Sequence, residues 1–362
     1  MKKYNCKNCG AILYWNPSSN SLECEYCGEK FLPTDFDTEQ NTSEELTEKE
    51  KSFTPEKADE NITATDESDS DDLVVYKCSQ CNAEVVTSRS TIATTCAFCG
   101  EALSMTNKLV DNFKPDCVIP FKITKEEAMK LFKEYTKKGV LTPKDFAKSN
   151  EVEKMKGMYA PFWLHSFKNT STSIVSAVKT TSSRRGYDKV EKHHIYEVDI
   201  DSMAEFENIP TDALKNINDE LMDSVEPFDY SNLKTFSPAY MSGFYAEEYN
   251  EDGDTTFTRA KERADNAMKE QILSYVKGYS TTSIKAYNSD ITDADKKYTM
   301  LPVWLFHVKY NGQNYLYAVN GQTGKVAGKL PKCKKLMFKY GLITCLITQA
   351  LGFLFRLAIV LM

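Results

Sequence analysis

The sequence predicts two small β zinc ribbons, an α+β domain with a mainly antiparallel sheet, and a C-terminal transmembrane helix. Three observations carry this expectation. A four-cysteine pattern occurs twice, helix-period and strand-period apolar patterns alternate through the middle of the chain, and an apolar tail follows a lysine cluster.

The cysteine pattern first runs from Tyr4 to Phe31, with thiols at Cys6, Cys9, Cys24 and Cys27. It returns from Tyr76 to Leu103, with thiols at Cys78, Cys81, Cys96 and Cys99, an offset of 72 residues. Both copies read C-x2-C, fourteen residues, then C-x2-C followed by Gly-Glu. Two residues between cysteines let both sulfurs of a tight turn face one centre, and two such knuckles make the closed sulfur cage of structural zinc. Ile12, Leu13, Tyr14 and Leu22 between the knuckles suit short ribbon strands. Iron in a rubredoxin-like cage, disulfides and redox-active CxxC pairs are the rival readings. Iron would need longer spacing between the knuckles, and disulfides an oxidising compartment. Two structural Zn2+ ions are therefore expected, one per ribbon, with no position left open for a substrate.

A chain of 362 residues with 41% hydrophobic and 12% aromatic content can bury a sizeable core over two or three domains. Eight of its eleven cysteines lie in the ribbons, and Cys117, Cys333 and Cys345 read as ordinary reduced residues of a cytoplasmic protein. The net charge of −7 is concentrated: residues 33–72 hold fifteen Asp/Glu against three Lys, and the rest of the chain is mildly basic. Few apolar residues stand in that stretch, chiefly Phe36, Leu46, Phe53 and Ile62, too few to offset the entropy of ordering it. The domain plan is ribbon 1 at 1–32, a disordered acidic linker at 33–75, ribbon 2 at 76–112, an α+β domain at 113–331, and a basic run with a membrane helix at 332–362. The N-terminus lacks an apolar h-region, so no secretory signal is expected.

Within 113–331, Cys117–Ile123 reads as a strand, and Thr124-Lys-Glu-Glu127 as a capping box. Ala128, Leu131, Phe132 and Tyr135 then recur at helical spacing as far as Gly139, giving a helix over 125–138. Residues 158–167 and 168–182 read as two strands joined by a turn, and His193–Ile200 as another. Glu226–Asn250, rich in aromatics and turn residues, reads as irregular segments and short helices over a sheet. A second helix is expected over 258–277, then strands at about 280–287, 299–310 and 314–320, with Asn311-Gly312 as a hairpin turn and Gly321–Gly324 as the next. The echo of YAPFWL (159–164) in MLPVWL (300–305) fits either a duplicated helix-plus-sheet unit or two unrelated core strands with Trp163 and Trp304.

The tail changes texture. Lys332–Lys339 is basic, and Gly341–Met362 is apolar except for Thr344, Thr348, Gln349 and Arg356. Twenty-two helical residues reach about 33 Å, enough to cross the hydrocarbon core. Twelve Leu, Ile, Phe and Val at about −0.3 to −0.6 kcal/mol each outweigh about 2.5–3.5 kcal/mol for the arginine. The lysines on the N-terminal side leave the bulk of the chain in the cytoplasm, on a single-pass anchor. The stop at Met362 also permits a shortened chain whose relatives run on.

Catalytic motifs fail. Gly321-Gln-Thr-Gly324-Lys325-Val326 has neither the first Gly nor the Ser/Thr of a phosphate loop. Asn288–Thr292 begins like a calcium loop but lacks its Gly and Glu and reads as a polar turn. His165 and His307 read as core or surface residues, His193 and His194 point to opposite sheet faces, and Asp199 and Asp201 are solvated. No catalytic or cofactor-binding residue is expected. The ribbons carry net charges of +1 (1–32) and zero (76–103), and phosphate binding needs a concentrated basic face. Protein partners are therefore favoured over nucleic acid.

The two ribbons together with Cys117–Ala128, Tyr159–Leu164, Glu226–Tyr249 and Leu301–Pro331 resemble one family, the double zinc-ribbon proteins of Gram-positive bacteria that carry labels such as TFIIB-type zinc ribbon or relative of the replication-restart helicase PriA. The resemblance covers nearly all of the chain except the acidic linker. It implies membrane-spanning C-terminal sequence and an association with phage-shock-type envelope stress. The motor motifs of a helicase are missing here. The expectation is a non-enzymatic membrane-anchored adaptor that recruits proteins at the cytoplasmic face; the alternative is a nucleic-acid-binding regulator or replication accessory without helicase activity.

Overall fold

The computed structural model describes residues 4–37, 73–77, 84–88, 91–95, 102–104, 114–143, 145–146, 155–215 and 217–361. Most of the expected linker lies outside these residues. In chain order come β1 (Leu13–Asn16), β2 (Ser21–Cys24), β3 (Lys30–Phe31) and the helical turn α1 (Thr34–Asp37). Then follow β4 (Leu73–Lys77), β5 (Glu84–Ser88), β6 (Thr91–Thr95), β7 (Ala102–Ser104), β8 (Cys117–Val118) and α2 (Lys125–Lys138). The middle holds β9 (Lys156–Arg185), β10 (Asp188–Asp212), α3 (Asp219–Val225), β11 (Lys234–Thr235) and β12 (Tyr245–Glu247). Last come α4 (Gly253–Tyr275), β13 (Thr281–Tyr310), β14 (Gln313–Asn320), β15 (Val326–Ala327) and α5 (Lys334–Leu361). The architecture is mostly sheet with few helices. It divides into one unit of Met1–Pro120, Tyr159–Ile217 and Tyr230–Leu301, and another of Phe121–Met158, Asn218–Asp229 and Pro302–Met362. Residues 113–331, expected as one domain, contribute to both.

The first unit is built on a sheet in which β9 is central, with β13 on one side and β10 and β12 on the other. The turn expected after Phe167 is absent, because β9 runs unbroken for 30 residues and pairs antiparallel with β10 as far as Arg185 and Asp188. Likewise Asn288–Thr292 is no turn: it lies inside β13, where Asp293 at φ +53° marks a local irregularity. Both misreadings have one cause. These strands are covered on one face only, so Lys, Thr, Ser and Asp fill the other and look like loop composition, while the period-2 alternation persists. On β9 from Phe167 onward the alternation shows in buried Phe167, Asn169, Ser171, Ser173, Val175 and Ala177.

Helix α4 covers that face. It starts at Gly253, five residues before the expected start, because the Asp252 carboxylate caps it by accepting from the Thr255 N–H at 2.7 Å. Thr256, Ala260, Ala264, Met268 and Ile272 are buried at four-residue spacing, and Ala260 and Ala264 pack on Phe167. The 23 residues of α4 reach about 34 Å, whereas the 25 residues of β10 reach about 80 Å. The distal ribbon therefore stands uncovered, and Tyr187, Ile195 and Tyr196 are exposed there.

In the second unit α2 spans the expected 125–138 with both halves of its capping box: the Glu127 N–H donates to Thr124 Oγ1 at 3.2 Å, and the Thr124 N–H to Glu127 Oε2 at 2.9 Å. Gly139 ends the helix without a left-handed φ. A side chain there would meet Thr142 and lie 2.8 Å from Leu330 Cδ1, so the glycine serves close packing. Fully buried Phe132 sits among Phe306, Tyr317 and Phe146, with ring centroids 4.8, 4.9 and 6.4 Å away. The β13–β14 hairpin turns at Asn311-Gly312 with φ +50° and +76°, as its type I′ chemistry requires. The basic run and the apolar tail form one helix, α5.

The two Pro-x-Trp-Leu strands occupy equivalent settings, one in each unit. The Trp163 indole N–H donates to the Glu251 carbonyl at 2.9 Å, one residue before the N-cap of α4. That of Trp304 donates to the Ile123 carbonyl at 3.0 Å, one residue before the N-cap of α2. Four, eight and twelve residues beyond each cap stand Thr256, Ala260 and Ala264 in α4 and Ala128, Phe132 and Thr136 in α2, all buried.

Candidate metal centre

The first ribbon is a three-stranded sheet ordered β1-β2-β3, with Leu13 and Leu22 fully buried between its knuckles. Its knuckles share one backbone geometry. The Cys6 N–H donates to the Ala11 carbonyl and the Gly10 N–H to the Cys6 carbonyl, at 2.6 and 2.8 Å. In the second, the Cys24 N–H donates to Glu29 and the Gly28 N–H to Cys24, at 2.9 and 2.8 Å. Gly10 at φ +77° and Gly28 at φ +73° take the left-handed turn that closes each knuckle, so the glycine after C-x2-C is a conformational requirement.

These turns bring four sulfurs together. Cys6 lies 3.5 Å from Cys27, and Cys9 lies 3.5 Å from Cys24 and 3.6 Å from Cys27. All four lie within 4.8 Å of one another. A tetrahedron with zinc–sulfur bonds of about 2.3 Å has an edge of about 3.8 Å, so the cluster could hold one metal ion. The sulfurs are too far apart for disulfides, which need about 2.05 Å, and all four cysteines are free. Cys6 and Cys24 are buried while Cys9 and Cys27 reach the surface. The Cys24 thiol is lowered to about 7, chiefly because the Cys27 and Tyr26 N–H groups favour its thiolate against the cost of burial. Cys78, Cys81, Cys96 and Cys99 lie outside the described residues. The strands flanking them, β4 with β5 and β6 with β7, are antiparallel pairs.

The surroundings of this centre come from segments distant in sequence. The Trp15 N–H donates to the Ser242 carbonyl at 3.1 Å, and Ser242 Oγ donates back to the Leu13 carbonyl at 2.6 Å. The Trp15 ring lies 4.9 Å from that of Tyr240 and is 4% exposed. Gly243, at φ +90°, lets the backbone approach Tyr14, where a Cβ would lie 3.1 Å from the ring. Two residues on, β12 pairs with β6 between the knuckles of the second repeat. Ser237–Glu247 thus receives a strand from each cysteine repeat. The aromatics of Glu226–Asn250 signalled packing, but not their partner. Phe36, read as part of the linker, packs on Tyr4 and Phe31 with centroids 5.6 and 5.7 Å apart. On the outer side of the second knuckle Tyr26 is 84% exposed, and Leu32 is exposed as well.

The histidines form no shared site among the described residues. His165 is buried, with Nε2 3.1 Å from Thr211 Oγ1 and 3.2 Å from Thr256 Oγ1. Burial first, and the charge of Lys296 second, lower its pKa to about 4, with Asp254 opposing. His193 and His194 are successive residues of β10 paired with Thr180 and Lys179, so they face opposite ways. His307, Asp199 and Asp201 are exposed. Gly321–Gly324 turns between β14 and β15, and its Gln322 side chain is tied to the backbone of Asp229.

The helix α5 is long and apolar enough over Lys334–Phe353 to cross a membrane, and none of that span is buried in the protein.

Comparison with known proteins places a relative beside these features. The uncharacterized protein YdjG of Bacillus subtilis (strain 168) is 33% identical over 329 residues, 91% of this chain and 89% of its own. No family model and no solved structure matches the chain.

Proposed function

The chain belongs to the same family as YdjG of Bacillus subtilis, and we propose that it is a non-enzymatic zinc-ribbon adaptor, anchored by α5, that recruits protein partners at the cytoplasmic face of a membrane. The observation that carries this reading is the closed sulfur cluster of Cys6, Cys9, Cys24 and Cys27. Four thiolates saturate a tetrahedral ion, so the metal organises a surface and does no chemistry. Cys78, Cys81, Cys96 and Cys99 repeat the spacing and hold a second zinc ion. Exposed Tyr26 and Leu32 give the first ribbon an apolar contact of the kind protein interfaces use. The uncovered apolar helix supports the anchor, and the lysines before it set the orientation.

Membrane fractionation of the chain with and without residues 332–362 tests the anchor, and equal solubility of the two forms would sink it. Affinity purification from membranes tests the adaptor: partners should co-purify with the intact chain and be lost in a Cys6→Ser, Cys78→Ser double variant. Salt-dependent DNA or RNA binding lost in that double variant would instead establish the nucleic-acid reading.

A further inference from the structure

We propose that the corner of the second unit where α2 ends and α5 begins is a lipid-headgroup surface that takes the phosphates of anionic lipids. The proposal rests on the membrane anchor just described and adds a second contact to it, made by residues 194 or more positions earlier in the chain.

The corner is built by backbone contacts. The Cys333 N–H, just ahead of α5, donates to the Leu141 carbonyl at 2.9 Å. Gly139 lies against Leu330, and the Thr142 N–H donates to the Gly139 carbonyl at 2.9 Å. The last turn of α2 is thereby held beside the first turn of α5. Lys137 and Lys138 from one side, and Lys332, Lys334 and Lys335 from the other, are exposed around it. Val140, at the apex of the turn, is 67% exposed. The five lysines outnumber the carboxylates nearest them in the chain, exposed Glu134 and Asp145, the latter accepting from the Tyr310 hydroxyl, so the corner keeps a net positive charge.

The height of the corner fits this partner. From Cys333 to the start of the apolar run at Gly341 is eight residues, about 12 Å of helix. The headgroup layer of one leaflet is about 5–8 Å deep. The corner therefore stands about 4–7 Å beyond the headgroups, inside the Debye length of about 8 Å at physiological salt, and lysine stems extend towards them. An exposed apolar residue among lysines is the composition of an interfacial contact. Such a contact would restrain the tilt and rotation of the second unit on its single helix.

The test uses the full chain in nanodiscs of phosphatidylcholine, alone or with phosphatidylglycerol, and follows amide hydrogen exchange of residues 133–142. Each lysine near an anionic surface strengthens contact about fivefold, so the pair contributes about 25-fold. Slower exchange of this segment in the anionic discs, lost in Lys137→Glu/Lys138→Glu, is expected. In discs of phosphatidylcholine alone that variant should exchange like the wild type over the same residues, which shows that the second unit folds. Equal exchange in the two lipids, or protection that survives in the variant, overturns the headgroup contact alone. Failure of the wild-type chain to enter discs at all overturns the anchor, and this contact with it.

Discussion

Replacing Trp15 with alanine separates metal binding from docking of the first ribbon. The residue is not one of the four thiols, yet it is 4% exposed with its ring against that of Tyr240, and its backbone N–H, which alanine keeps, donates to the Ser242 carbonyl. A buried Trp removes about 150–250 Å2 from water, which at about 25 cal/mol per Å2 is about 4–6 kcal/mol. Part of that burial is against the ribbon's own residues. Truncation of large aromatics costs about 3–5 kcal/mol in total. If most of this falls on docking, the docked population shifts by about two to three powers of ten. Hydrogen exchange over residues 13–16 and 237–244 should accelerate by that ratio, while zinc content measured by a colorimetric chelator stays at the wild-type value. Unchanged exchange in both segments would refute the docking argument. Loss of metal would instead show that Trp15 supports the ribbon fold itself. Ser242→Ala, which removes one hydrogen bond, should give the same signature at about 1 kcal/mol.

Three further outcomes are expected. Cys27→Ser should lose one equivalent of bound metal and release the ribbon to proteolysis, as read by metal analysis and limited digestion. Lowering the pH should destabilise the first unit through His165, whose folded pKa of about 4 lies below the unfolded value of 6.5. The unfolded state alone binds the proton in that window, so stability falls as pH drops from about 6.5 to about 4. At about 1.36 kcal/mol per unit the loss approaches 3 kcal/mol, and urea unfolding of His165→Asn should lack this dependence. Asn320→Ala should cost about 2–4 kcal/mol in denaturant unfolding. Its buried amide donates to the Val225 and Pro227 carbonyls and accepts from the N–H groups of Gln322 and Thr323, so removal orphans four backbone groups.

The first cysteine cluster, the α2 capping box and the Asn311-Gly312 hairpin were legible because each is set by a few adjacent residues whose backbone chemistry has one solution. The long strands were not. Thr170, Thr172 and Lys179 resemble loop residues until their alternation with Asn169, Ser171 and Val175 is set against a helix that covers one face, and that helix lies more than 70 residues later. The early start of α4 is signalled by Asp252 before Gly253, an N-cap residue that stands at the end of an aromatic run. Docking of Trp15 joins positions more than 220 residues apart and leaves no local trace.

The Pro-x-Trp-Leu echo gains a physical meaning from the paired helices. In sequence, α2 precedes the Trp163 strand and α4 precedes the Trp304 strand. In space the partners are exchanged: Trp304 bonds the residue before α2, and Trp163 the residue before α4. Each strand places an indole N–H on the carbonyl one residue before an N-cap. Residues four, eight and twelve beyond each cap are buried in both helices. These matched settings are the arrangement that a duplicated helix-plus-sheet unit would give. The exchange also explains why each compact unit is assembled from distant segments. Phe132 of α2 packs on Phe306, and Ala260 of α4 on Phe167. Formation of the second unit, and with it the seat of α5 at Cys333 and Leu141, therefore depends on residues beyond Pro302.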